Sequence, residues 1–208
     1  MYAKKNSGKK VVATLLAIVL LIGCGIGGTL AWLSATSETV TNTFTVGDIT
    51  IHLNEHKLAD GKLTSEVVQT NTDYKVVPGA TQPKDPYVTV DAGNEPCYVY
   101  VCIKNNLVID SNIVATFDID LNKWDNIATT EKGDVYRYKT TVPASNTDQI
   151  LKVFENITYD DDLITKENIS TLENKTIILN AFAHQSENIT NDSVANNAAL
   201  AYFATLTY

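Results

Sequence analysis

Cysteine is scarce in this chain of 208 residues, which contains only three. Two of them, Cys97 and Cys102, lie in one apolar segment that alternates as a β-strand does. On a strand, an odd separation puts two side chains on opposite faces, and five residues at roughly 3.3 Å each place them about 16 Å apart. A disulfide needs Cα atoms within about 7 Å of each other. The sequence therefore predicts that these two thiols do not pair.

Basic residues are also few, with 16 Lys and Arg against 24 Asp and Glu. Four of the lysines, and none of the acidic residues, precede residue 32. Residues 32–208 therefore carry 12 basic and 24 acidic side chains, a net charge of −12. A nucleic-acid-binding protein needs a basic face that releases counterions from phosphates. The charge balance argues against that class, and it favours solubility with weak self-repulsion.

Motifs of the common enzyme classes are missing as well: the sequence has no G-x-S-x-G and no phosphate-binding glycine loop. His52–His56 has the form H-x-x-E-H of one zinc-protease class, which needs a helix to bring both histidines to one metal. Here the segment continues an alternating strand, on which i and i+4 are about 13 Å apart. Zinc–nitrogen bonds are only about 2 Å long. We predict no catalytic residue, no metal site and no cofactor.

Acidic residues form two clusters that resemble parts of calcium sites. One is Asp118 with Asp120, and the other is 160–162. Calcium takes about six to eight oxygen ligands. Neither cluster has the Asp-x-Asn-x-Asn-Gly spacing of a calcium loop. Solvated turns are the simpler interpretation, and calcium binding is the alternative.

Long apolar runs are absent except for one near the N-terminus. A basic head precedes Val11–Ile22, which is almost wholly apolar, and the small-residue segment Gly23–Ala31 follows. This order is typical of a secretory signal peptide. Val11–Leu33 is long enough to span a bilayer of about 30 Å, but each of its glycines costs about 1 kcal/mol in a helix relative to Ala. We therefore predict a cleaved signal peptide over residues 1–31 rather than a retained membrane anchor.

Small residues at positions −3 and −1 locate the cleavage site. Thr29 and Ala31 occupy them if the bond between Ala31 and Trp32 is cut, so Trp32 is the first residue retained. The alternative is lipidation of Cys24, because Leu-Ile-Gly-Cys has the form of a lipobox. The residues after Cys24 stay apolar, where a lipoprotein usually becomes polar, and this favours cleavage after Ala31. Contact with the membrane is then expected only before cleavage.

The rest of the chain alternates apolar and polar positions between turn residues, as half-buried strands do. Strands are predicted at Thr43–Leu53, Asp73–Val77, Tyr87–Val90, Cys97–Lys104, Ile113–Leu121, Val135–Val142, Gln149–Tyr159 and Thr176–Ala183. We expect Tyr87–Val90 and Cys97–Lys104 to pair, and Thr176–Ala183 to be a central strand covered on both faces.

The predicted connections and helices complete the pattern. A kink is expected at Gly47-Asp48, a polar connection over Asn54–Thr64 with a turn at Asp60-Gly61, and a turn containing Trp124 over Lys123–Ala128. Helices are expected at Asp162–Glu173 and at Asn191–Tyr202, the latter capped by Asp192 or Ser193. Many short strands with few helices predict an all-β antiparallel sandwich with one or two short helices.

Two N-terminal motifs resemble a known family. Gly28–Leu33 reads G-T-L-A-W-L and Asn42–Gly47 reads N-T-F-T-V-G. They resemble the signal and early mature region of proteins cut by the SipW-type signal peptidase, the family of TasA, camelysin and CotN. Further matching pieces extend the resemblance over nearly the whole chain: Pro78-Gly79, Lys84, Tyr98–Val101 and Ala181–Gln185.

Membership of that family implies a secreted, jelly-roll-like sandwich, here over residues 44–208, that assembles into extracellular biofilm-matrix or cell-surface fibres. Residues 32–43 would form an extended donor segment that adds as a strand to the next subunit, which is β-augmentation. Head-to-tail addition gives an open filament. The apolar anchors of the donor segment would be Trp32, Leu33, Val40 and Phe44.

The expected partners are therefore other copies of the chain and, during export, the SipW-type signal peptidase. The expected role is structural and not enzymatic. The alternative is a monomeric surface or spore-coat-associated adhesin. A camelysin-like metallo-endopeptidase is less favoured, because the sequence carries no credible zinc motif.

Overall fold

The computed structural model of the protein describes residues 48–189 and 191–207. Within them the chain forms thirteen strands, one 3₁₀ turn and one α-helix. The strands are β1 (Ile51–Ala59), β2 (Lys62–Val68), β3 (Thr81–Pro83), β4 (Tyr87–Val90), β5 (Cys97–Asn105), β6 (Val108–Ile109), β7 (Asn112–Ile113), β8 (Ala115–Phe117), β9 (Trp124–Thr130), β10 (Gly133–Tyr138), β11 (Gln149–Lys152), β12 (Asn156–Tyr159) and β13 (Ile177–Gln185). The 3₁₀ turn is Ile169–Leu172, and the α-helix α1 is Asp192–Ala204.

Two four-stranded antiparallel sheets make up the centre of the fold, with strand orders β11-β4-β1-β2 and β13-β5-β10-β9. Alternate apolar residues of both sheets meet in one core, which includes Val88 and Val90 of β4, Val99 and Val101 of β5, and Trp124 of β9. Each is nearly inaccessible to water, and burial of such a side chain contributes about 1.5–3 kcal/mol. The predicted all-β antiparallel sandwich is confirmed.

The strand β5 is buried on both faces. Its residues Cys97 and Val99 point into the sandwich core, whereas Tyr100 and Cys102 point to the opposite face. The prediction that Cys97 and Cys102 lie on opposite sides of a strand is confirmed, and the two thiols do not bond to each other.

Helix α1 covers that second face of the sheet. Ala195, Ala199 and Phe203, spaced four residues apart, are its buried residues and pack on Tyr100 and neighbouring side chains. The predicted helix over Asn191–Tyr202 is therefore present, shifted by one or two residues. Its N-cap is Asn191, whose side chain accepts a hydrogen bond from the backbone N–H of Ser193, so neither predicted cap is correct.

A smaller three-stranded sheet of order β3-β12-β8 lies over a second core. Ile157 and Tyr159 of β12 pack there against Ile164 and Leu172. The predicted helix at Asp162–Glu173 is wrong, because only the 3₁₀ turn forms and a buried Leu172 closes the core.

The polar segment Asn54–Thr64 is not a loose connection. It forms the hairpin of β1 and β2 around the predicted turn at Asp60-Gly61, where both residues have positive φ, 50° and 75°. Such a two-residue Asp-Gly loop matches the twist of its flanking strands. The predicted strand at Asp73–Val77 is wrong, since that segment carries no strand.

Two further predictions fail because sequence alternation does not reveal which strands pair. Tyr87–Val90 and Cys97–Lys104 are both strands, but they belong to opposite sheets. Gln149–Tyr159 divides into β11 and β12, which also belong to different sheets, because the buried Val153 and Phe154 lie between them.

Three other boundaries differ from those predicted. The segment Ile113–Leu121, predicted as one strand, holds the last residue of β7 and the whole of β8. The segment Lys123–Ala128, predicted as a turn, holds the start of β9. The strand predicted at Thr43–Leu53 is seen from Ile51 onward, and the Gly47-Asp48 kink lies at the limit of the described residues.

Candidate functional site

The residues predicted to be cleaved or to donate a strand, and the cysteine of the lipidation alternative, lie outside the described part of the chain. These are Cys24, Ala31, Trp32, Leu33, Val40 and Phe44. A surface that would receive such a segment is a strand edge, and the described residues contain several.

Strand β13 is the terminal strand of its sheet within the described residues, and it was predicted to be central. It is nine residues long and is dominated by apolar side chains, with Ile177, Ile178 and Leu179 at its start. It contains no Lys, Arg, Asp, Glu or Pro. Natural edge strands are usually short, charged or interrupted by proline, because a long apolar edge pairs readily with another strand. β13 lacks each of these protections.

The other terminal strands of the two large sheets differ from β13. β2 carries Lys62 and Glu66, and β9 carries Asp125. β11 has only four residues and ends on Lys152. Charge or short length protects each of these edges, so β13 is the edge best suited to receive a strand.

Both faces of β13 are covered, and among the described residues only β5 pairs with it, along one edge. Leu179, Ala181 and Ala183 pack against the sandwich core. On the other face the ring of Phe182 stacks on Tyr202 of α1, with centroids 5.0 Å apart. The predicted covering of both faces is therefore observed, although the position at the sheet end is not the predicted one.

The start of the described chain lies near β13. β1 approaches β13, and Ile49 and Ile51 pack against the same core as Leu179 and Ala181. The first described residues therefore pack over the same core as β13.

A polar contact holds α1 over the sheet. Arg137 of β10 donates from Nη1 to Oδ2 of Asp192 at 2.6 Å, and the Tyr98 hydroxyl donates to Oδ1 at 3.0 Å. The hydrogen bond from Arg137 is the main reason that the Asp192 pKa is lowered, followed by the bond from Tyr98. These bonds fix the N-terminal turn of the helix against β5 and β10.

The H-x-x-E-H segment lies on β1, as predicted, and each of its side chains has a different partner. His52 Nε2 is 3.1 Å from Asp91 Oδ2, and His56 Nδ1 is 2.7 Å from Asp85 Oδ2. Glu55 lies between them in sequence and points to the buried side. Among the described residues, no group of three or more His, Cys, Asp or Glu could hold a metal ion.

Glu55 of that segment belongs to a buried ion pair, which nothing in the sequence pattern predicted. Lys84 Nζ is 2.5 Å from Glu55 Oε2, and both side chains are less than a tenth exposed, at 8% and 9%. The ammonium also lies 4.8 Å from the ring centre of Tyr74. Lys84 occurs in a short polar connection with three nearby prolines, which gives no sign of burial.

Tyr74 is itself an unusual neighbour. Its hydroxyl is buried and meets no hydrogen-bond partner of ordinary geometry among the described residues. Burial raises the Tyr74 pKa first, and the negative charges of Glu55 and Asp85 raise it further. The hydroxyl is thus a neutral donor in the electrostatic reach of the Glu55 carboxylate.

The acidic clusters accept hydrogen bonds from backbone N–H groups. Asp118 Oδ1 accepts from the backbone N–H groups of Glu155 and Asn156 at 2.8 and 2.7 Å, and Asp160 Oδ1 accepts from Asp162 and Leu163. The Asp160 bonds form a turn directly after β12, which agrees with the simpler interpretation of that cluster, whereas Asp118, directly after β8, binds the chain that begins β12.

The one α-helix of the described residues, α1, has 13 residues, and no helix there is long and apolar enough to cross a bilayer. Comparisons of the chain with protein-family models, with curated proteins and with solved structures found no match.

Proposed function

We propose that the protein is a secreted structural subunit of extracellular fibres, in the biofilm matrix or on the cell surface, and that it assembles by donating residues 32–43 to the edge of β13 in the next copy. The observation that carries the proposal is the nine-residue apolar strand β13 at the end of its sheet. The N-terminal resemblance to the TasA family supplies the donor segment.

The dimensions fit this role. Twelve extended residues reach about 40 Å at roughly 3.3 Å each, and a nine-residue strand such as β13 is about 30 Å long. Main-chain hydrogen bonds would supply affinity, and the apolar anchors Trp32, Leu33, Val40 and Phe44 would fix the register. The two facing sheets are compatible with the jelly-roll-like arrangement that the resemblance implies.

The proposal also gives cleavage after Ala31 a role. Until residues 1–31 are removed, the donor segment is tethered at the membrane during export and cannot reach a neighbouring copy. Processing by the SipW-type signal peptidase would therefore start assembly. The chain acts on no substrate in this account and needs no cofactor.

Removal of Trp32–Thr41 tests the proposal. Electron microscopy of the processed protein should show fibres, and the truncated protein should be a folded monomer without them. Two further variants keep the full length of the donor segment. Replacing its four apolar anchors by Ser should abolish fibres, whereas replacing Ser34, Thr36, Ser37 and Thr41 by Ala should not. Fibres from the truncated chain would contradict the mechanism.

Size-exclusion chromatography at rising concentration separates the two structural roles. Growth from monomer to high-mass species supports the fibre subunit. A processed protein that remains monomeric at every concentration supports the alternative, a monomeric surface or spore-coat-associated adhesin.

A further inference from the structure

The buried contact between Glu55 and Lys84 brings together a carboxyl group and an amine, the two groups that condense to an amide. The two side chains come from separated parts of the chain, β1 and the connection before β4, and Nζ meets Oε2 at 2.5 Å. We propose that Lys84 Nζ and the side-chain carboxyl of Glu55 join in an intramolecular amide bond.

A salt bridge alone explains the pair poorly. Both ions lose their hydration on burial, and the attraction between them often does no more than offset that loss. Apolar residues of similar volume would serve stability as well or better. A lysine and a glutamate kept in contact inside a sandwich therefore call for a role that apolar residues cannot fill.

The structure provides the proximity that such a reaction requires. Lys84 is fixed by its backbone N–H, which donates to Glu155 O at 2.9 Å, and Glu55 is fixed by strand pairing opposite Val68. Well-oriented groups within one molecule react as though their concentration were about 10⁵ M or more. The shielding of both side chains also keeps bulk water away from the reacting atoms.

The reaction balances without any other reagent. A proton passes from the Lys84 ammonium to the Glu55 carboxylate, which leaves a neutral amine and a carboxylic acid. The Nζ lone pair adds to Cδ of Glu55 and forms a tetrahedral carbon. The C–O bond to one hydroxyl then breaks, this oxygen takes the second proton of nitrogen, and one water molecule departs. The net change is an amide bond for one water, with no oxidation or reduction.

Neighbouring side chains suit these steps. The buried Tyr74 hydroxyl is kept neutral by its burial and by the charges of Glu55 and Asp85, which raise its pKa. The Tyr74 ring lies against the Lys84 ammonium. Asp85, the residue after Lys84, is held by two bonds from His56, at 3.0 Å to the backbone N–H and 2.7 Å to the ring. This second contact holds the two segments together directly after the reacting pair.

The bond would join two positions that are 29 residues apart. A cross-link of this kind restricts the unfolded chain and so stabilises the folded one. Its mechanical consequence rests on the proposed function: β1 is the first strand of the described residues, so tension from a donor segment before it would enter this part of the domain through β1. The amide would tie β1 to the chain that enters β4.

Peptide mapping by mass spectrometry tests the bond directly. The purified processed protein is digested under denaturing conditions, and the expected product is one linked peptide pair, lighter by one water than its two parts, with fragments that assign the link to Glu55 and Lys84. Digestion with a protease that cuts after aromatic residues, such as chymotrypsin, separates the Glu55 peptide from the N-terminus at Phe44, so N-terminal processing does not affect this readout.

The variant Lys84→Arg keeps the positive charge but should lose the linked pair completely. Lys57→Arg is the matched control: Lys57 lies on the same strand and contacts Glu66 at 3.0 Å in an exposed pair, so its replacement should leave the link unchanged. If Lys84→Arg does not fold, the wild-type map alone decides. Separate, unlinked peptides from folded wild-type protein, persisting after prolonged incubation, would overturn the proposal whether or not fibres form.

Discussion

Trp124 of β9 donates its indole N–H to the backbone oxygen of Lys152 in β11, at 2.9 Å. These strands belong to opposite sheets, so one side chain crosses the whole core. The ring is fully buried and meets Tyr138 edge-on, with centroids 5.1 Å apart. The hydrogen bond and the packing of Trp124 thus set the spacing of the two sheets at this point.

Replacing Trp124 by Phe should destabilise the fold by about 2–4 kcal/mol, because it leaves a cavity and an unpaired Lys152 carbonyl. Urea unfolding measures the loss. Ile150→Ala on β11 is the control, since Ile150 is 67% exposed and its truncation should change the free energy of unfolding by less than about 0.5 kcal/mol. Equal losses for the two variants would contradict the assigned role of Trp124.

Gly133 at the start of β10 should tolerate no side chain. Its φ is 132°, and an added Cβ would lie 2.3 Å from the backbone oxygen of Ile103 in β5. Gly133→Ala should therefore cost more than about 3 kcal/mol, because two paired strands must move apart.

The matched control for this change is Gly61→Ala in the β1–β2 turn. Gly61 also has positive φ, 75°, but an added Cβ meets nothing within 4 Å. Only the strain of the left-handed conformation remains, about 1–2 kcal/mol. Thermal unfolding of both variants should show the larger destabilisation for Gly133→Ala. A larger destabilisation for Gly61→Ala would contradict this prediction.

Cys97 should resist alkylation in the folded protein. Its side chain is fully buried, and burial raises the pKa of the thiol to about 11. At pH 8 only about one thiol in a thousand would be ionised, and the thiolate is the reactive form. Iodoacetamide followed by peptide mapping should label Cys97 only after denaturation. Rapid labelling of the native protein would show that the core is open at β5.

Asp118 should contribute to stability only above acidic pH. Burial acts to raise the Asp118 pKa, but hydrogen bonds from the Asn156 side chain and from the backbone of Glu155 and Asn156 outweigh it and lower the pKa. A carboxyl whose pKa is lower in the folded than in the unfolded protein stabilises the fold at pH values above the unfolded pKa, about 3.9. This stabilisation is lost as the pH falls through the folded pKa.

We therefore expect Asp118→Asn to cost up to about 1 kcal/mol at pH 7, because an exposed carboxylate is screened by water. The difference from wild type should shrink as the pH falls below about 4. Urea unfolding across pH measures it, with the exposed Asp73→Asn as control. A loss that is constant down to pH 2 would mean that the charge of Asp118 is not involved.

The sandwich was predictable because alternation is a local property. Tyr87–Val90 and the segment from Cys97 are strands where the sequence predicted them, and the odd separation of Cys97 and Cys102 put these two residues on opposite faces. Pairing is not local. Alternation does not show that these two strands lie in different sheets, or that the buried Phe154 separates β11 from β12.

The candidate sites illustrate the same limit. The apolar character of Thr176–Ala183 is visible in the sequence, but its position at the end of a sheet depends on which strands pair. The contact between Glu55 and Lys84 joins two polar segments 29 residues apart. Charged residues in polar surroundings are normally solvated, so only the three-dimensional arrangement reveals their burial.

Hydrogen exchange at β13 tests the central claim most directly. The protein lacking Trp32–Thr41 is mixed with a synthetic peptide of residues 32–44, and a peptide with the four apolar anchors replaced by Ser is the control. The account predicts slower exchange of backbone amides in Ile177–Gln185 with the native peptide alone, and unchanged exchange in β2 and β11. Unchanged exchange in β13, or protection confined to another edge, would contradict it.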